Sequence, residues 1–126
     1  MIPCGALTNP TTATSCIPWF KNLGPLVEIA AISDLTPEGA STVAREAGIP
    51  AAYLDAEKLI AKERPNMLDI CTPPAKHANL TLAAMEQGRS LLIEKPLALT
   101  LEDCDRIVET SRARNLQYEY LTRLVL

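Results

Sequence analysis

The sequence predicts a single α/β domain built on a parallel, doubly wound sheet. Three short apolar runs, rich in branched residues, are typical of strands buried on both faces of a sheet: Leu26–Asp34, Met67–Thr72 and Ser90–Glu94. Amphipathic segments separate these runs, and strands that alternate with helices form parallel sheets covered on both faces. The 126 residues suit one compact domain, which we place over residues 1–126.

Capping residues set the predicted helix boundaries. Thr36 can cap a helix whose first position is Pro37, and Gly48 can end that helix. Apolar residues at helical spacing then give each helix one buried face. Further helices are predicted to begin at Asp55, Ala75 and Thr100.

Two further strands are predicted from weaker sequence patterns. Ala51–Leu54 reads as a short edge strand, and the terminal LQYEYLTRLVL has the composition of a strand. The helix from Thr100 to about Arg114 lies between the last two strands. Its predicted inner face consists of Leu101, Cys104, Ile107 and Val108.

Composition and charge exclude several classes of function. The net charge is -3 with basic residues spread along the chain, which argues against nucleic-acid and membrane binding. The chain shows no secretory signal and no run long enough to cross a bilayer. The single histidine and the four cysteines lack the spacing of a metal site, so we expect no metal and reduced thiols in a cytoplasmic protein. The cysteines are Cys4, Cys16, Cys71 and Cys104.

Polar residues follow three of the predicted strands, where ligands of doubly wound sheets bind. Asp34 ends the first run, and its carboxylate either accepts the hydroxyls of an adenosine ribose or caps a turn. Thr72 and Pro73 form a rigid exit that either lies flat against a planar ligand or simply starts a helix. His77 near that helix start either contacts a ligand or is a cap or a satisfied surface group.

The third strand exit carries the charged pair Glu94 and Lys95 before Pro96. A structural interpretation lets Lys95 reach solvent along its aliphatic stem. A functional interpretation lets Lys95 donate a proton to a reacting hydroxyl, with Pro96 fixing the backbone that aims it. The sequence pattern favours the functional interpretation.

The segment DICTPPAKHANLTLAAMEQGRSLLIEKPLALTLEDCDRIVETSRARN resembles the nucleotide-binding domain of the glucose–fructose oxidoreductase, inositol 2-dehydrogenase and rhizopine-catabolism (Gfo/Idh/MocA) family. The resemblance extends from Leu26 to about Leu116, and the segment IPWFKNLGPLVEIAAISDLTPEGA also resembles the first helix and second strand of that family. It implies a Rossmann-type fold and NAD(P)-dependent oxidation or reduction of a hydroxyl or carbonyl group. The implied substrate is a sugar, a cyclitol or a related small molecule.

The resemblance also implies a set of site residues. Lys95 matches the lysine that contacts substrate near the point of hydride transfer, and Pro96 matches a proline often preceded by a cis peptide. The carboxylate of Asp34 favours NAD over NADP because it would repel a 2′-phosphate. The implied cofactor-binding residues are Gly5, Asp34, Leu35, Thr72, Pro73, His77, Glu94 and Pro96.

The N-terminus departs from the family pattern, which begins with a strand and a G-x-G-x-x-G loop. In MIPCGALTNPTTATSC, Gly5 alone matches a loop glycine, while Pro3 and Thr8 replace the other two. We therefore expect a first strand that is all but absent and a degenerate phosphate loop. Unpaired neighbouring strands would then promote self-association, most simply a homodimer.

The family continues into a second domain that supplies a catalytic Asp and His, binds substrate and forms the oligomer. We expect this domain to be missing, so the chain reads as a truncated nucleotide-binding domain that is inactive alone. Another domain or a partner chain could complete an NAD-dependent oxidoreductase. The alternatives are a non-catalytic binding or scaffold protein and a degenerate gene product with no chemical role.

Overall fold

The structure is a computed structural model that describes residues 2–8, 17–116 and 118–121. Six strands form one sheet in the order β3-β2-β1-β4-β5-β6, and every neighbouring pair is parallel. This is the strand order of a doubly wound dinucleotide-binding sheet, so the predicted fold class is confirmed. The strands are β1 (Ile2–Thr8), β2 (Val27–Ser33), β3 (Ala51–Tyr53), β4 (Met67–Cys71), β5 (Ser90–Glu94) and β6 (Tyr118–Leu121).

Helices connect the strands, and side-chain caps start three of them. The side chain of Thr36 accepts a hydrogen bond from the Gly39 amide, and that of Thr100 accepts one from the Asp103 amide. The Asp55 carboxylate caps the helix that begins directly after it. These caps are the ones that the sequence predicts. The helices are α1 (described over residues 17–22), α2 (Pro37–Ala47), α3 (Ala56–Glu63), α4 (Pro74–Glu86) and α5 (Leu101–Arg114), with a short 3-10 turn at Gly24–Leu26.

Two apolar clusters lie on opposite faces of the sheet. Ala31 and Ile32 are successive residues of β2, so their side chains point to opposite faces. Ile32 packs with Ile17 of α1 and Ala44 of α2, while Ala31 belongs to the cluster that contains residues of α3, α4 and α5. The helices therefore cover both faces of the sheet.

The expectation of a missing first strand is wrong. β1 lies between β2 and β4 and pairs with both, with an irregularity between Cys4 and Gly5. The pairing with β4 begins only at Cys4, so Pro3 has a strand on one side, where its missing amide proton is tolerated. Backbone pairing to two neighbours outweighs the poor strand propensity of the sequence. The self-association predicted from unpaired neighbours loses its basis and stays untested.

Two smaller expectations have different outcomes. The C-terminal strand forms as β6 and extends the sheet beside β5. Leu101, predicted on the inner face of α5, is 84% exposed, whereas Ile107 is fully buried. Leu101 is the first residue of its helix, where the chain has just left the loop and no described residue covers it.

Among the described residues, no helix is both long enough and apolar enough to cross a membrane.

Candidate functional site

The site lies at the carboxyl-end edge of the sheet, where the chain leaves β2, β4 and β5. Parallel strands bring these exits to one edge. Asp34 and Leu35 after β2 and Thr72 after β4 line one cleft of about 250 Å³. Lys76 of α4 also lines this cleft. The structure thus brings together two of the strand exits that the sequence singled out, although Leu35 is largely exposed.

Asp34 is buried, and its two carboxylate oxygens have different surroundings. Oδ1 accepts a hydrogen bond from the Thr36 amide at 3.3 Å, which turns the chain toward α2. Oδ2 is buried and has no hydrogen-bond partner among the described residues. A buried carboxylate oxygen without a donor is costly, so a ligand that brought a hydroxyl donor to this atom would lower that cost.

Gly39, in the first turn of α2, makes room for this carboxylate. A Cβ atom at position 39 would stand 2.9 Å from Oδ2 of Asp34 and 2.6 Å from Oγ1 of Thr36. Distances below 3.0 Å do not occur for ordinary Cβ contacts, so both side chains would have to move. The absent side chain therefore permits both the helix cap and the buried position of the carboxylate. The sequence does not reveal this role of Gly39, because the role depends on contacts between side chains.

Thr72 and Pro73 form the exit of β4. The Oγ1 atom of Thr72 is buried without a hydrogen-bond partner among the described residues, which makes it a second candidate ligand contact. Pro73 is half-buried and precedes α4 without forming a side-chain cap. Asp34 and Thr72 therefore each contain a buried polar atom without a partner among the described residues, and both residues line the same cleft.

His77 is fully buried, and both of its ring nitrogens have partners. Nδ1 lies 2.6 Å from the carbonyl oxygen of Pro96, and Nε2 lies 2.7 Å from the carbonyl oxygen of Thr72. The imidazole has no nitrogen left for a cofactor. A hydrogen bond from the ring to a cofactor would have to replace one of these two contacts, and the role of His77 in cofactor binding stays a prediction.

The exit of β5 carries a half-buried Glu94, followed by Lys95 and Pro96, which are both exposed. The Lys95–Pro96 peptide bond is cis. Glu94 and Lys95 do not form an ion pair; among the described residues the ion pair joins Arg106 and Asp103. Lys95 is thus directed to a solvent-accessible place beside the edge of the sheet, which suits either interpretation of the charged pair.

Gly5 is not brought to this site. It lies inside β1, paired with Ala31 and Leu68, and not in a loop beyond the strand. Pro3 and Thr8, which match the other two loop glycines, also lie within β1, so the phosphate loop does not form where the sequence predicted it. The segment that follows β1, residues 9–16, lies outside the described residues.

Lys76 and Leu80 line the cleft and were not predicted from the sequence. The sequence does contain a signal for both residues, because residues four positions apart in a helix lie on the same face, and this helix starts at a strand exit.

In the described part of the chain, no group of three His, Cys, Asp or Glu residues could hold a metal ion. Cys71 and Cys104 are present as thiols.

Comparison with known proteins identifies the family. A family model described as "Oxidoreductase family, NAD-binding Rossmann fold" (GFO_IDH_MocA) matches residues 7–121. Inositol 2-dehydrogenase of Pseudomonas savastanoi pv. phaseolicola is 37% identical over 87 residues, which are 68% of this chain and 26% of the relative. Levoglucosan dehydrogenase of Pseudarthrobacter phenanthrenivorans is 30% identical over 105 residues, or 82% and 27% of the two chains.

Solved structures share the fold. The WlbA dehydrogenase from Bordetella pertussis in complex with NADH and UDP-GlcNAcA has a TM-score of 0.90 and 21% identity, covering 95% of this chain and 37% of that one. Scyllo-inositol dehydrogenase from Lactobacillus casei with bound NAD(H) and scyllo-inositol has a TM-score of 0.88 and 16% identity, with coverage of 95% and 36%.

The chain spans about a quarter of the length of the curated relatives that it matches. The matched model covers most of the chain, and the fold agrees with its description. This chain therefore belongs to the glucose–fructose oxidoreductase, inositol 2-dehydrogenase and rhizopine-catabolism family, and it forms an NAD-binding Rossmann domain of that family.

Proposed function

We propose that this domain holds NAD along the carboxyl-end edge of its sheet and serves an oxidoreductase that acts on a sugar, a cyclitol or a related small molecule. The observation that carries the proposal is the buried Oδ2 atom of Asp34, which has no donor among the described residues. A ribose hydroxyl would supply that donor. The Oγ1 atom of Thr72, unsatisfied in the same cleft, offers a second contact.

The residues present fit the adenosine half of the cofactor. The missing side chain of Gly39 leaves room for the carboxylate of Asp34, which lines the cleft, and Leu80 gives the cleft an apolar wall. Such a combination of an apolar surface and a few placed polar atoms is typical of cofactor sites. The solved dehydrogenase structures that contain NADH or NAD(H) share this fold, which supports the same cofactor class here.

The charge of the cleft favours NAD over NADP. Asp34, Asp55 and Glu57 bring three carboxylates to its lining, and Lys76 brings one cation. A 2′-phosphate would add negative charge to a region that is already acidic, and like charges at short range repel. We therefore propose that NADPH binds more weakly than NADH.

NAD, when bound, supplies the acceptor or donor of the hydride. The chain's own contribution at the reacting end is Lys95, whose ammonium group would donate a hydrogen bond to the substrate oxygen and stabilise the negative charge that develops there as the proton leaves. Glu94 at the preceding position is half-buried and offers an acceptor at the same edge. The group that takes the proton and the substrate pocket itself are proposed to come from another domain or a partner chain.

This division of labour predicts that the chain alone has no measurable turnover. The absence of a general acid or base costs about 10²–10⁴-fold in rate. The absence of an orienting substrate pocket costs up to about 7–11 kcal/mol of barrier. A cytoplasmic location completes the proposal. The homodimer stays a prediction from the sequence whose argument from unpaired strands no longer applies, and light scattering at micromolar concentration tests it.

Calorimetric titration of the chain with NADH and NADPH tests the proposed cofactor. Asp34→Asn keeps the acceptor for the Thr36 amide but replaces the unpartnered oxygen, because one oxygen becomes an amide nitrogen. The loss of a hydrogen bond to a charged group is worth about 1.5–3 kcal/mol, so we expect NADH to bind roughly 10- to 100-fold more weakly.

Glu57→Gln is the matched control, because it removes one negative charge from the lining of the same cleft at an exposed side chain. We expect this variant to bind NADH at least as tightly as the unaltered chain does, because it removes a negative charge from the cleft but leaves the carboxylate of Asp34 in place. If the unaltered chain binds no dinucleotide, the proposal fails and the alternative of a non-catalytic scaffold is favoured. Preferential binding of NADPH would refute the choice of cofactor.

A further inference from the structure

The imidazole of His77 joins two strand exits that separate after their strands end. The parallel ladder between β4 and β5 ends at the pair Ile70 and Ile93. Beyond it, Thr72 and Pro96 belong to different loops, and each offers its backbone carbonyl oxygen to one nitrogen of the same ring. The ring therefore spans the space that the ladder leaves open.

The two contacts fix the chemistry of the ring. Carbonyl oxygens only accept hydrogen bonds, so a ring nitrogen that meets one at 2.6 or 2.7 Å must donate. A neutral imidazole has one N–H group and could satisfy a single partner. We therefore infer from the two acceptors that both ring nitrogens carry a proton. The ring is then an imidazolium, and its positive charge lies between two carbonyl dipoles.

We propose that His77 is a positioning residue for Lys95: its imidazolium ring donates one hydrogen bond to Thr72 and one to Pro96, and so sets the loop that carries Lys95 relative to the exit of β4. Pro96 directly follows Lys95, so the bond to its carbonyl oxygen restrains the backbone of the lysine. The role given to Lys95 rests on the proposed function, whereas the two donated bonds do not depend on it.

The position of His77 in α4 explains how one ring reaches both loops. α4 begins at Pro74, directly after the exit of β4, and the fourth helical residue turns its side chain toward the sheet. Neighbouring Lys76 is exposed, and Ala78 is buried in the core cluster that includes Ile93 of β5. The ring is consequently held between the helix and the two loops and away from solvent.

A spectroscopic test needs no substitution, because His77 is the single histidine of the chain. The chain is labelled with ¹⁵N at the histidine ring and studied by NMR at neutral pH without cofactor. We expect both ring nitrogens to have the shifts of protonated nitrogens and both N–H protons to exchange slowly with water. A ring with one unprotonated nitrogen would overturn the proposal.

A pair of substitutions separates the two bonds. In His77→Asn the amide nitrogen stands near the place of Nδ1 and can donate to Pro96, whereas in His77→Gln it stands near the place of Nε2 and can donate to Thr72. We expect the backbone amide signals of Lys95 and Leu97 to stay near their original positions in the Asn variant and to shift in the Gln variant. The amide signal of Thr72 should behave in the opposite way.

A role limited to filling space would disturb both loops equally in the two variants, and that result would refute the positioning role. His77→Leu fills a similar volume without a donor and should shift the signals of both loops. These measurements use the chain without NAD, so their failure can be told apart from a failure of the proposed cofactor binding. If the variants do not fold, the ring spectrum of the unaltered chain still decides.

Discussion

Replacement of Gly39 by alanine tests whether the first turn of α2 and the cofactor site both require a residue without a side chain at position 39. The new Cβ would stand 2.6 Å from Oγ1 of Thr36 and 2.9 Å from Oδ2 of Asp34. Both contacting atoms are side-chain ends that can rotate away. Rotation of Thr36 gives up the helix cap, and rotation of Asp34 gives up its bond to the Thr36 amide.

The expected change in stability is a balance of three terms. Loss of the cap costs about 1 kcal/mol, and loss of the 3.3 Å bond to Asp34 costs about 1 kcal/mol. Alanine in place of glycine in a helix returns about 1 kcal/mol. We expect a net loss of about 1 kcal/mol in the free energy of unfolding, measured by urea denaturation followed by circular dichroism.

The effect on cofactor affinity should be larger than the effect on stability. A displaced carboxylate no longer offers its oxygen to the ribose, so the affinity for NADH should fall about tenfold or more. Thr36→Ala is the control, because it removes the cap but leaves the space beside Asp34 open. Unchanged NADH affinity in the glycine variant, together with normal affinity in the control, would refute the reasoning.

Two further predictions concern single side chains. Thr100→Ala removes the cap of α5 and should lower the free energy of unfolding by about 1 kcal/mol, measured by urea denaturation. The control is Thr110→Ala, at a half-buried position in the same helix, and it should change the free energy of unfolding by less than about 0.5 kcal/mol. The hydrogen bond from Tyr53 to Glu63, with burial and the charge of Glu63, raises the pKa of Tyr53 above its usual value. Because the folded pKa is the higher one, this contribution to stability is present below about pH 10 and is lost as the pH rises further. Absorbance titration of tyrosinate should show the Tyr53 transition at lower pH in Glu63→Ala, and an unmoved transition would contradict the assignment.

The sequence predicted the parts of the fold that depend on local patterns. β2, β4 and β5 are continuous apolar runs, and the caps at Thr36 and Thr100 act within three residues of themselves. β1 was missed because IPCGALT has poor strand propensity, and its formation depends on two neighbours that are distant in the chain. Pairing with a neighbouring strand on each side is a tertiary interaction, and the strand propensity of the local sequence does not include it.

The candidate site was predictable in position and less so in detail. The strand exits at Asp34 and Thr72 follow from the general rule for doubly wound sheets, and they line one cleft. His77 was harder, because its second partner is the carbonyl of Pro96, 19 residues away. A sequence shows neither that contact nor the space at Gly39, since both depend on the packing of a helix against distant loops.

The central place of β1 also bears on how the chain folds. Within the sheet, β3 and β2 form one half, β4, β5 and β6 form the other, and β1 hydrogen-bonds to both. Cys4 pairs with Met67, so the two halves can be joined only after a long stretch of chain has been brought round. Closing so long a loop costs conformational entropy before any contact rewards it, and folds rich in such contacts form slowly. Until β1 docks, each half leaves the edge of one parallel strand unpaired, and it is in this interval that the chain is most open to pairing with the wrong partner.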